Sequence, residues 1–256
     1  MSNAEDGFIT SPAFDFIKKI CYNIYIRKRK EVHRMFDYNK LKDLIIPADF
    51  GTDDYDDEDT PGMEFVFDQL PSFVETAWGC TQFVIIDPDD RNNYVVKIPF
   101  SGMYNNDEDG YPTDFHPFTF CKDYATRSYD LYCDAEDAEV DAIFAKLDFF
   151  GRTKNDIPLY VQEKVVTFDY DEADHPSSED SHKKYAEKTS GINVDYYWRT
   201  LPMTWLCAAI DYYGEEFLEM FFEFCENHNL HDFHHANIGW RKDGSPCVLD
   251  WAGFQD

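Results

Sequence analysis

The sequence has little positive charge to offset its acids: 23 lysines and arginines stand against 51 aspartates and glutamates in 256 residues, a net charge of −28. Such a chain repels a phosphate backbone, which argues against nucleic acid as a ligand. It also lacks any run of about eighteen uninterrupted apolar residues, which argues against a membrane-spanning helix and a membrane partner. The N-terminus has no compact apolar core followed by small residues, so no signal peptide is read there. A soluble, cytoplasmic protein is expected, in the host cytoplasm if the source is viral. The seven cysteines are odd in number, scattered, and never closer than twelve residues. That spacing suits neither a disulfide framework nor a zinc knuckle, and reduced, mostly buried thiols are expected. There is no internal repeat.

What is present suffices for a folded body. Hydrophobic residues make up 43% of the chain and aromatics 18%, ample for one core or two small lobes. The basic residues are uneven: Lys18, Lys19, Arg27, Lys28, Arg29, Lys30, Arg34, Lys40 and Lys42 fall in the first fifth, and everything after is strongly acidic. The acidity is readable as solvated loops, as the complement of a cationic substrate, or as a surface that imitates nucleic acid.

Ser11 and Pro12 look like the start of a helix carrying Phe14, Ile17, Cys21, Ile24 and Tyr25 at helical spacing. Asp53 to Asp59, closed by Pro61 and Gly62, reads as a linker. Thr81 to Ile86 and Tyr94 to Phe100 read as antiparallel strands around a polar loop, and Ile157 to Val166 as a further strand. Asn105 to Gly110 and Asp169 to Asp180 read as acidic loops. Helical stripes are predicted from about Asp130 to Leu147, with Val140, Ile143, Phe144 and Leu147, and over Glu215 to Glu226. The order suits an α+β chain with a sheet-rich lobe followed by a helical one.

The segment from Leu230 to Gly253 carries the chemistry. Ile238 to Trp240 and Cys247 to Leu249 flank Lys242-Asp243-Gly244-Ser245, and Asp-Gly is a strong hairpin signal. Asn237 and Asp250 lie equally far from the middle of that turn, so a hairpin in that register brings them together at its open end. An amide oxygen and a carboxylate so placed suit Mg²⁺, which binds through few protein groups plus phosphate. Asp232, five residues before Asn237, is placed to take or orient a hydroxyl proton.

Asp232-x4-Asn237 followed by Asp250 resembles the catalytic loop and metal-binding Asp of the protein kinase superfamily. Asp232-Phe233-His234 and Asp250-Trp251 are more similar to aminoglycoside phosphotransferases and the small early kinases of T7-like bacteriophages. Tyr94-Val95-Val96-Lys97-Ile98 resembles the strand with the phosphate-binding Lys, and Val161 to Val165 the hinge that meets adenine. The resemblance implies a two-lobed kinase-like fold: an N-terminal helical extension and acidic linker over 1–60, an antiparallel-sheet N-lobe over 61–165, and a truncated helical C-lobe over 166–256. It implies ATP and Mg²⁺ as cofactors, with backbone groups of Glu163 and Val165 on adenine and Lys97 on the phosphates. Glu139, with Glu136 as the alternative, would orient Lys97; Asn237 and Asp250 would hold the metal; Asp232 would orient the acceptor. That acceptor would be a hydroxyl on a protein or a cationic small molecule.

Leu70 to Gly79, where the nucleotide-covering loop is expected, holds one glycine, and only six residues follow Asp250, leaving no activation segment. A rival reading is therefore a pseudokinase or acidic decoy that binds a host protein. The cluster His228, His231, His234 and His235 is alternatively a transition-metal site.

Overall fold

Residues 36–53, 60–87, 93–107, 111–168, 201–230 and 233–251 are described by the computed structural model. The predicted helix from Ser11, most of the acidic run after Asp53, the 169–180 loop, His231 and Asp232 lie outside them. In chain order the elements are β1 (Gly51–Asp53), α1 (Pro61–Gln69), β2 (Glu75–Trp78), β3 (Gln82–Ile86), β4 (Tyr94–Pro99), β5 (Gly102–Asn106), β6 (Pro112–Pro117), α2 (Phe120–Asp137), β7 (Leu147–Arg152), β8 (Pro158–Glu163), β9 (Val166–Thr167), α3 (Met203–Tyr213), α4 (Glu215–Asn227), β10 (Ile238–Trp240) and β11 (Pro246–Val248). The chain is α+β, its main sheet five antiparallel strands in the order β2-β3-β4-β8-β7.

Period-two alternation gives this sheet two different faces. Phe83, Ile85, Val96, Ile98 and Leu159 point into a cluster with Phe50, Met63 and Val66. Val84, Lys97 and Tyr160 stand opposite one another across β3, β4 and β8 on the other face. Helix α1 closes the first cluster. It starts where Thr60 accepts a hydrogen bond from the Met63 amide and Pro61 fills the first turn, a capping arrangement that satisfies an otherwise orphaned donor. Phe36, Leu41, Leu44 and Ile46 join the same cluster. Packing therefore crosses the expected boundary at residue 60: residues 36–53 are part of the sheet-bearing body rather than of an extension.

A second cluster is built by α2, α3, α4 and the β10–β11 hairpin, with Trp205, Phe221, Phe233, Phe144 and Trp251 fully buried. Full burial of a side chain such as Phe221 is worth about 1.5–3 kcal/mol. Helix α2 joins the clusters: Cys121 belongs to the first, Tyr124, Leu131 and Ala135 to the second. A smaller sheet, β1-β5-β6, extends the first body; of the segment read as an acidic loop from Asn105 to Gly110, Asn105 and Asn106 end β5, Asp107 is outside any strand, and residues 108–110 lie outside the described residues.

Two helical expectations fared differently. The stripe from Glu215 is helix α4, and Leu218, Phe221, Phe222, Phe224 and Cys225 are its buried side. The stripe from Asp130 to Leu147 is not one helix. Helix α2 ends at Asp137, Glu139 turns the chain with φ +59°, Asp141–Ile143 make a single 3-10 turn, and Leu147 opens β7. Val140, Ile143 and Phe144 are buried at helix-like spacing, but a turn and a strand can bury the same spacing, and periodicity alone does not separate the cases. Among the described residues no helix is long and apolar enough to cross a membrane. Cys121, Cys225 and Cys247 are buried, and none of the six described cysteines is in a disulfide.

Candidate functional site

The β10–β11 hairpin forms, one residue out of the expected register. Ile238 pairs with Val248, Gly239 with Cys247 and Trp240 with Pro246. The Leu249 amide donates to the Asn237 carbonyl at 2.8 Å, so Leu249 rather than Asp250 lies opposite Asn237. The loop explains the shift: Gly244 takes φ +85° and its amide donates to the Arg241 carbonyl, while the Arg241 amide donates to the Ser245 carbonyl. That is a three-residue loop with glycine in the left-handed position, not a two-residue Asp-Gly turn. Asp243 fixes it by accepting from the Ser245 amide at 2.9 Å and hydroxyl at 2.7 Å, and these bonds hold its carboxyl below the ordinary value. Asp250 still stays beside Asn237, its amide 3.4 Å from the Asn237 carbonyl.

Between the main sheet and this hairpin runs a cleft of about 410 Å³. Ala77, Val84, Val95 and Leu249 give it apolar walls, Lys97 lies along it, and Glu163, Lys164 and Val165 border it. Tyr94 pairs with Glu163 at the end of β8, and the chain then leaves the sheet for two residues before β9 pairs with β10. The strand expected to continue to Val166 therefore breaks at Lys164-Val165, and the break hands the chain from the sheet to the hairpin. Gly239 permits that handover, since a Cβ there would lie 2.3 Å from the Val166 carbonyl oxygen.

Lys97 does not face bulk solvent. The residue keeps part of its surface exposed, but its ammonium end is enclosed, and burial lowers its pKa against the opposing pull of Asp250. A narrow hollow beside it, about 10 Å³ and so room for one water at most, is lined by Gln82, Ala125, Ser128, Gln162 and Asp250. The Tyr124 hydroxyl donates to Asp250 Oδ1. Gln162, buried in β8, donates from Nε2 to the Leu249 carbonyl at 2.8 Å and ties the sheet to the residue before Asp250.

Lys97, Glu163 and Val165 thus line the cleft, Asp250 meets Lys97 in the hollow beside it, and Asn237, buried next to Asp250 in the chain's hairpin, lines neither. Glu139 is not among the cleft's lining: it is exposed and sits past the end of α2. Glu136 is on α2 but also exposed. The α2 residues beside Lys97 are Ala125 and Ser128, so the assignment of Glu139 as its partner is corrected. The error came from running the helix past its end at Asp137. The Glu163 side chain also has another occupation: it accepts from Arg241 Nε at 2.9 Å. The sequence reading missed Tyr124, Gln162 and Arg241. Gln162 alone left a signal, a polar residue inside the apolar strand Leu159-Tyr160-Val161.

His235 borders the cleft, and burial, with His234 beside it, lowers its pKa. Among the described residues no group of three histidines, cysteines or carboxylates gathers as a metal shell; His228 instead packs on Phe224 at 4.3 Å between ring centres. No family model matches the chain, and no curated protein or solved structure matches it either.

The residues present are of types that a nucleotide and a hard cation call for. The cleft has the volume and apolar walls of a small-molecule site, with polar groups converging at one end. Lys97 is a cation suited to phosphate, and the Asp250 carboxylate is a hard ligand of the kind used by a metal that keeps most of its waters and leans on phosphate.

Proposed function

We propose that the chain is an ATP- and Mg²⁺-dependent phosphotransferase of the protein kinase-like fold, acting on a hydroxyl of a protein or a cationic small molecule. One observation carries the reading: Lys97 and Asp250, 153 positions apart in the sequence, line one narrow hollow, and Lys97 also lines the adjoining cleft that Glu163 to Val165 border. The order of elements supports it. The lysine strand is central, α2 follows it in the chain, and the strand leading to Glu163 lies beside it in the sheet.

On this reading Lys97 holds the α- and β-phosphates, and backbone groups at Glu163 and Val165 hold adenine. Asn237 and Asp250 would hold Mg²⁺, which would supply positive charge against the negative charge developing during transfer. Asp232 orients the acceptor hydroxyl and takes its proton as the hydroxyl oxygen bonds to the γ-phosphorus and the bond from that phosphorus to the β-phosphate oxygen breaks, releasing ADP. Catalysis is by positioning and charge, with no covalent enzyme intermediate.

A second reading keeps the fold and the nucleotide but drops the transfer, leaving a host-protein binder. The β2–β3 turn favours it. That connection is only Gly79 to Thr81, closed by the Gly79 amide donating to the Gln82 carbonyl, a short cover with a single glycine for phosphates.

The deciding experiment is thermal melting with ATP, with and without Mg²⁺, followed by transfer of labelled phosphate to a panel of basic and acidic peptides and aminoglycosides. A Mg²⁺-dependent shift with transfer supports the enzyme. A shift without transfer supports the second reading, and no shift removes both.

A further inference from the structure

Lys97 is not balanced by an acid from α2. The helix presents Ala125 and Ser128 to the hollow beside it, the Ser128 hydroxyl is turned back onto the Tyr124 carbonyl at 2.9 Å, and the negative charge facing Lys97 is Asp250. What α2 sends toward the site is the hydroxyl of Tyr124, which donates to Asp250 Oδ1. Tyr124 is itself buried, at 9% exposure, in the cluster that includes Trp251. Its ring is thus held by packing while its one polar atom reaches the carboxylate.

We infer that Tyr124 is the positioning residue for the metal-binding carboxylate, fixing Asp250 Oδ1 from helix α2 so that Asp250 serves both Lys97 and the cation. The inference rests on the phosphotransferase or nucleotide-binding reading of the same cleft. A carboxylate oxygen that accepts a hydroxyl keeps a further lone pair for a metal, and a donor behind a metal-binding carboxylate sets its orientation. The arrangement also ties α2 to the site. A movement of the helix that withdraws Tyr124 removes this hydrogen bond from Asp250, so the position of α2 bears on the cation through Asp250.

The test uses the full chain and two substitutions that keep the ring: Tyr124→Phe, and 4-fluorophenylalanine at position 124, which fills the hydroxyl's space without a donor. Each is melted with ATP alone and across a Mg²⁺ titration. Both variants should keep the Mg²⁺-free ATP shift and need on the order of 10-fold or more Mg²⁺ to reach half of the Mg²⁺-dependent shift. In an Asp250→Ala background, Tyr124→Phe should change the Mg²⁺ requirement no further, because the coupled partner is gone. A parent that responds to Mg²⁺ and a pair of variants that match it would overturn the inference alone. A parent with no nucleotide response overturns the underlying reading and the inference with it. Loss of the ATP shift without Mg²⁺ in the fluorinated variant would make Tyr124 a packing residue instead.

Discussion

Arg241 Nε lies 2.9 Å from Glu163 Oε2, joining the hairpin to the segment that borders the cleft. The same guanidinium reaches the Phe144 carbonyl at 2.7 Å and the Tyr213 hydroxyl at 3.0 Å. Burial works against its charge, but the hydrogen bond to Glu163 and the anionic surroundings outweigh that and raise its pKa. One planar, multi-donor group therefore holds β8, the 3-10 turn before β7, and α3 around the hairpin, a task a lysine cannot copy. Both side chains are mostly buried, so breaking the pair leaves a charge unmatched. Arg241→Met should lower stability by about 3 kcal/mol, measured by urea unfolding. Arg241→Lys should recover less than half of that loss, and the double variant with Glu163→Gln should cost less than the two single losses added.

Lys97→Met tests the cationic end of the cleft. Methionine replaces the stem of the lysine and removes the ammonium, so the apo protein should still melt cooperatively. Charge-assisted bonds to phosphate are worth about 1.5–3 kcal/mol, so ATP affinity should fall on the order of 10- to 100-fold by calorimetry. Adenosine, which has no phosphates, should bind parent and variant alike. If ATP binding is unchanged, Lys97 does not hold phosphate.

Asp232 and Asp250 are assigned different jobs, and a pair of substitutions separates them. Asp250→Ala removes a metal ligand, so the Mg²⁺-dependent part of nucleotide stabilisation and turnover should both fall. Asp232→Asn removes only the proton acceptor, so turnover should drop on the order of 10²-fold or more while nucleotide binding is kept. Asp232→Asn turning over like an active parent would show that another group serves as base.

The ingredients of the site were largely legible because they sit on locally encoded structure. Asp-Gly specified a hairpin and the Val/Ile-rich runs specified β3 and β4, so the elements carrying Lys97, Asn237 and Asp250 followed from short-range pattern. The register of the hairpin was not legible. Whether Gly244 closes a two- or three-residue loop depends on Asp243 bonding to Ser245, and one residue of difference moves Leu249 into the place expected for Asp250. Glu139 failed for a related reason: burial of Val140, Ile143 and Phe144 comes from the second cluster, which the local sequence does not reveal. Helix α3 was missed although Pro202 and Gly214 bracket it. Tyr124 and Arg241 act across separations of 126 and 78 residues, and no local pattern marks them.

Alkaline titration follows from the buried phenols and thiols. Burial pushes Tyr38 and Tyr213 up to about 12 from 10.0, and Cys121 and Cys247 up to about 12 from 9.0. A group whose folded-state pKa is raised keeps its proton in the folded chain after the unfolded chain has lost it. Its contribution is therefore complete below the unfolded value and is lost as pH rises toward the folded value. Stability should fall progressively between pH 9 and pH 12, and part of the tyrosine absorbance change should appear only together with loss of far-UV ellipticity. In Tyr213→Phe the pH-dependent portion should shrink, even though its baseline stability drops with the lost bonds to the Ala142 and Pro246 carbonyls. A tyrosine titration complete near pH 10, ahead of unfolding, would contradict the assigned burial.

The charge of −28 makes a prediction about the acceptor that the cleft does not. Helix α2 exposes Asp123, Asp130, Asp134, Glu136 and Asp137, and α4 exposes Glu215, Glu216, Glu219, Glu223 and Glu226, so the acids form solvated faces rather than paired clusters. Exposed charges of one sign act mainly by steering, raising the encounter rate of an oppositely charged partner by about 10- to 10³-fold at low salt. That effect is screened as the Debye length shrinks from about 10 Å at 0.1 M salt to about 3 Å at 1 M. The kcat/KM for a basic peptide or aminoglycoside should accordingly fall at least about 10-fold over that range, with most of the change in KM. An acidic peptide should be a poor acceptor that improves with salt. ATP affinity should change less, because Lys97 and the phosphates would meet inside the cleft, where screening is weak. Replacing Glu215, Glu216 and Glu219 together by Gln lowers the exposed charge without touching the cleft, and should reduce both the basic-acceptor rate at low salt and its salt dependence. Equal rates on acidic and basic acceptors, indifferent to salt, would mean that the acidity serves solubility and that the acceptor is chosen by contacts in the cleft.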